Sequence, residues 1–73
     1  MTTTRFDDRP FRTSHMSAPR GRGSWAFNTD QTGERVFFSP SMTLTEARKW
    51  MTEQVRALAP AEFTGEVLVR ILP

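Results

Sequence analysis

The sequence predicts a small α+β fold: a two-layer β-β-α-β domain with a three-stranded antiparallel sheet of order 3-1-2, one helix on one sheet face, and a flexible N-terminal arm. Three observations lead there. Two short stretches of strand periodicity flank a turn-rich loop, a long amphipathic stretch opens on a capping box, and the chain closes on an alternating apolar segment.

Residues 1–23 mix Thr, Ser, Pro, Gly, Asp and Arg, and their large apolar side chains before Met16 are Phe6 and Phe11. No period of 2 or 3.6 residues is apparent, so this part reads as a disordered basic arm. Pro10 and Pro19 argue further against a regular helix.

The expected domain occupies residues 24–73. Over residues 24–28, Trp25 and Phe27 alternate with Ala26 and Asn28, as in a half-buried strand. "NTDQTGER" then supplies Asn28, Asp30 and Gly33, whose side-chain hydrogen bonds and positive φ favour turns. "RVFFS", residues 35–39, is β-branched and aromatic and stops at Pro40, which completes a hairpin with a loop longer than two residues.

"TLTEARKWMTEQVRAL" is the clearest element. Thr43 and Glu46 are spaced as a capping box, in which the hydroxyl and the carboxylate each satisfy a free backbone amide. Leu44, Ala47, Met51, Val55 and Leu58 form one apolar stripe, with Trp50 at its margin. Ala59-Pro60 ends the helix. In "GEVLVRIL", Val67, Val69 and Ile71 share one face, while Glu66, Leu68, Arg70 and Leu72 share the other. A right-handed crossover through the helix sets this last strand beside the first.

Composition narrows the function. With 73 residues, the chain buries only about 60% of its unfolded surface, and small domains of this kind commonly lean on disulfides, metals or partners. Cysteine is absent and His15 is the single histidine, so neither a disulfide nor a metal site is expected. No segment has the apolar run of a signal peptide or a membrane span, and the lack of cysteine fits a reducing compartment. The expectation is a cytoplasmic protein with no membrane partner.

Catalysis needs positioned acids, bases or nucleophiles. There is no tyrosine, Glu46 and Glu53 share their helix face with Lys49, and "RGRGS" lacks the lysine and the preceding strand of a phosphate loop. Neither an enzyme nor a cofactor is expected.

The charge is unevenly spread. Residues 1–23 hold Arg5, Arg9, Arg12, Arg20 and Arg22 against Asp7 and Asp8, a net of +3, while residues 24–73 carry a net of −1. Such an arm can follow a phosphate backbone, with Lys49 and Arg48 extending the path, but a nucleic-acid reader ordinarily continues its basic track onto the domain. Arg20-Gly21-Arg22-Gly23 therefore reads as a hinge more readily than as a phosphate clamp.

Adjacent strand residues face opposite ways, so one of Phe37 and Phe38 must lie on the sheet face away from the helix, with Leu68 and Leu72. An apolar patch there binds a partner or a second copy, stacks on bases, or is covered by Phe6 and Phe11 folding back. Arg48 and Trp50 add a second candidate anchor on the helix, since Trp and Arg are enriched at interface centres.

The leading expectation is a small non-enzymatic protein-interaction module. It would be an accessory or inhibitory protein, of the kind mobile elements and phages carry, that docks on a larger host complex such as transcription or defence machinery. Its partner-binding residues are Phe37, Phe38, Leu68, Leu72, Arg48 and Trp50. The alternatives are a nucleic-acid-binding protein using Arg5, Arg9, Arg12, Arg20, Arg22 and Lys49, and a structural homodimer.

Overall fold

Odd-numbered residues of the two most regular strand segments are all buried: Trp25, Phe27 and Thr29 in one, Val67, Val69 and Ile71 in the other. Alternation in a pleated strand requires this when one sheet face meets a helix. The computed structural model describes residues 2–16, 20–32 and 35–73. In chain order they form strand β1 (Thr3–Asp7), helix α1 (Arg9–His15), β2 (Arg22–Gly23), β3 (Ala26–Thr29), β4 (Phe37–Phe38), β5 (Met42–Thr43), α2 (Leu44–Leu58) and β6 (Glu66–Ile71).

The fold is α+β with two sheets. The larger has four strands in the order β1-β6-β3-β4, and β2 and β5 form a separate antiparallel ribbon. β6 and β4 each run antiparallel to β3, whereas β1 lies parallel to β6. The hairpin and the crossover through α2 thus give the expected neighbours, but the expected three-stranded sheet is corrected to four strands of mixed direction.

The added strand comes from residues expected to be irregular. Thr4 and Phe6 turn toward α2: the Thr4 and Thr52 hydroxyls are 3.0 Å apart, and the Phe6 ring meets Phe27 edge-on at 6.1 Å between centroids. α1 follows at once. Pro10 does not block it, because it sits in the first turn, where a helix makes no use of the missing N–H. Phe11 packs 5.8 Å from Trp25, so the helix closes the end of the sheet where β6 finishes and β3 begins. Pro19 and Gly33 lie outside the described residues.

α2 begins as its sequence dictates. The Glu46 N–H donates to the Thr43 hydroxyl at 3.3 Å, and the Glu46 carboxylate accepts from the Thr43 N–H at 3.3 Å and from its O–H at 2.9 Å. Those donors hold the Glu46 carboxyl below its ordinary pKa. Ala47, Met51 and Val55 bury the stripe against Phe27, Val67, Val69 and Ile71, and Phe63, from the loop before β6, completes the core. Leu44, Trp50 and Leu58 are only partly buried around it.

Buried Ser39 clasps the hairpin. Its N–H donates to the Trp25 carbonyl at 2.8 Å, its hydroxyl accepts from the Trp25 N–H at 2.9 Å, and its carbonyl accepts from the Ser24 hydroxyl at 2.6 Å. The Trp25 indole N–H donates to the Met42 carbonyl at 2.9 Å, joining the sheet to the ribbon.

Candidate interaction surface

Even-numbered residues of β3 and β6 point away from α2, and the pairing sets them in rows. The Leu72 N–H donates to the Ala26 carbonyl at 2.9 Å and Ala26 lies opposite Phe38, so Leu72, Ala26 and Phe38 make one apolar row. Asp7, Arg70 and Asn28 make the next, and Arg5 lies beside Leu68 in the one after. Phe38 is 69% exposed, and Val36, two residues earlier, is exposed as well. Leu68 and Leu72 are half-buried.

Within the charged row, Asp7 is tied down internally. The Asp7 carboxylate accepts from the Arg9 side chain at 2.9 and 3.0 Å and from the Arg9 N–H at 3.0 Å. These donors, with a smaller contribution from Arg70, hold the Asp7 carboxyl below its ordinary pKa.

The six residues expected to bind a partner are not brought together. Phe38, Leu68 and Leu72 share the face described above. Phe37 lies on the opposite side, its ring 6.4 Å from Phe63 and 4.7 Å beneath the Arg35 guanidinium. Trp50 stacks on Phe27 at 6.5 Å, which makes it a wall of the core. Arg48 stands 5.5 Å from the Phe6 ring and so holds β1 against α2.

Phe6 and Phe11 do not fold back over Phe38: Phe6 packs toward α2 and Phe11 at the sheet end. Val36, Asp7 and Arg70 also belong to the exposed face. Parity with Phe38 marks Val36, but nothing local in the sequence signals that Asp7 and Arg70 become neighbours.

The arginines proposed for nucleic acid are dispersed over β1, α1, β2 and the preceding loop, and most meet carboxylates. Arg9 is paired with Asp7 at 2.9 Å and Arg12 with Asp8 at 2.8 Å, while Arg5 and Arg22 approach Glu66 and Glu46 at 3.9 Å. Arg20 lies at the rim of a cleft at the sheet end, and Lys49 lines a shallow groove beside Trp50 on α2.

Among the described residues no group of three or more histidine, aspartate or glutamate side chains is placed to hold a metal ion, and no helix is long and apolar enough to cross a membrane. Comparison with protein-family models, with curated proteins and with solved structures finds no match for the chain.

Proposed function

We propose that the protein is a small non-enzymatic protein-interaction module that docks on a larger protein through the sheet face bearing Phe38, as an accessory or inhibitory subunit. The observation that carries this reading is Phe38 itself, a large aromatic 69% exposed in line with Ala26 and Leu72. Holding such a side chain in water costs about 1.5–3 kcal/mol relative to burial, which a docked partner recovers. The nucleic-acid alternative is weaker, because Arg5, Arg9, Arg12 and Arg22 each have a carboxylate of the same chain within 4.0 Å. Binding phosphate at Arg9 or Arg12 would mean exchanging an existing hydrogen-bonded ion pair for a new one.

The test is affinity capture from lysate, with and without nuclease treatment, using the full chain and Phe38→Asp, washed at low and high salt. A discrete protein retained by the native chain at high salt and lost with Phe38→Asp supports the reading. Recovery of nucleic acid that disappears at high salt overturns it. An unfolding midpoint that rises with protein concentration, in the native chain but not in Phe38→Asp, would assign the face to a homodimer instead.

A further inference from the structure

The apolar row does not end at Leu72. Ala26 and Leu72 also line a cleft of about 270 Å³ between α1 and the segment leading into β2. One wall is the Phe11 ring with His15 stacked on it at 4.1 Å, and Arg20 and Arg22 stand at the rim. No aspartate or glutamate is among the described residues that line it. The floor is already satisfied, since the Trp25 indole donates to Met42 and the Ser24 hydroxyl to Ser39. Among the described side chains, the unspent hydrogen-bonding capacity of the cleft therefore lies in its two guanidinium groups and the His15 imidazole.

Arg22 approaches Glu46 only to 3.9 Å, and the Glu46 oxygen it faces already accepts from Thr43. A guanidinium carries five N–H donors, so most of those on Arg22 are open to a further acceptor. Gly21, at φ +89°, provides the turn between the two arginines, and a conformation of that kind strains any side chain with a Cβ. "RGRG" thus shapes the rim of a positively charged cleft that continues an apolar strip.

Resting on the protein-docking reading above, we propose that the occupant is an extended acidic-apolar peptide segment of the partner. Its apolar side chains lie along Phe38, Ala26 and Leu72, and an aspartate or glutamate a few positions away enters the cleft to meet Arg20 and Arg22. Phe38 and Leu72 are two strand spacings apart, about 10 Å, which three residues of extended chain span at about 3.3 Å each. Arginine suits the far end because its planar donor fork matches a carboxylate at two points. Protein is favoured over nucleic acid because the row beside the cleft is apolar, with Phe38 as its single aromatic, and because the arginines farther along the face are interspersed with the carboxylates of Asp7 and Glu66.

A display library of random peptides panned on the full chain tests this. Enriched peptides are then synthesised with a fluorescent label, and their affinities measured by anisotropy for the native protein and for Arg20→Glu, Arg22→Glu and Phe38→Ser, each checked for native circular dichroism. The expected result is a consensus of apolar residues followed within a few positions by Asp or Glu. Affinity should fall about tenfold or more with either arginine reversal, and also with Phe38→Ser.

Apolar peptides without acidic preference, lost with Phe38→Ser but indifferent to both arginine reversals, would overturn the cleft assignment and leave the docking face standing. Peptides indifferent to all three variants would overturn both. Failure to enrich any peptide overturns the cleft assignment. So does a labelled single-stranded oligonucleotide that binds the native chain and is released by the arginine reversals.

Discussion

Phe6→Ala separates the four-stranded fold from a three-stranded domain with a loose arm. A fully buried phenylalanine costs about 3–5 kcal/mol when truncated to alanine. Phe6 is half-buried, so roughly half of that, about 2 kcal/mol, is at stake. Its edge contact with Phe27 and the Arg48 guanidinium above it fall within this figure. A chain of this length has a total stability of about 4–11 kcal/mol, so the loss is a substantial part of the whole.

Urea unfolding followed by tryptophan fluorescence reads it directly, since Trp25 and Trp50 both border the core. With a urea dependence of about 1 kcal/mol per molar for so small a chain, the midpoint should fall by about 2 M. Phe6→Leu should recover most of the loss, because it keeps the apolar volume between β1 and α2. A midpoint shift below about 0.5 M for Phe6→Ala would refute the placement of β1 and leave residues 3–7 as solvated chain.

Further predictions concern the hairpin, the helix and pH. Ser39→Ala should cost about 1–3 kcal/mol by chemical denaturation, because it leaves the buried Trp25 N–H without its acceptor. Met51→Ala should cost about 2–5 kcal/mol. Leu58→Ala should cost clearly less, since Leu58 lies at the edge of the core, and equal costs would show that α2 is rotated from the position described. Asp7 and Glu46 are both held below their ordinary pKa values, so their contribution is present above the unfolded values of about 3.9 and 4.3 and is lost as pH falls through the lowered folded values. Urea midpoints measured from pH 6 downward should therefore drop in the acid range, and Glu46→Gln should flatten part of that drop.

Much of this architecture is legible in the chain because its signals are local. The Thr43–Glu46 box, the Ala47–Met51–Val55 stripe and the parity of Val67, Val69 and Ile71 each act within one element, and the physics that forms the element leaves its period in the sequence. β1 leaves no such trace. A five-residue edge strand with one aromatic among polar neighbours has too short an apolar pattern to stand out, and it is stabilised by β6, some sixty residues away. α1 is obscured for a related reason: its first turn holds a proline, and its anchoring contact, Phe11 on Trp25, is tertiary.

The interaction surface divides in the same way. That one of Phe37 and Phe38 must face away from the helix follows from strand geometry alone. Which one does so was decided by the register that sets Phe38 against Ala26 and Phe37 against Phe27. The sequence by itself determined the helix, its cap, the hairpin and the apolar parity of the closing strand, because these depend on residues within one or two turns of each other. Only the tertiary structure decided that the N-terminal segment joins the sheet, that Arg5 and Arg22 approach Glu66 and Glu46, and that Arg20 and Arg22 come to rest beside Leu72. Those outcomes arise from packing between distant segments, where the free energy belongs to the pair and neither partner records it alone.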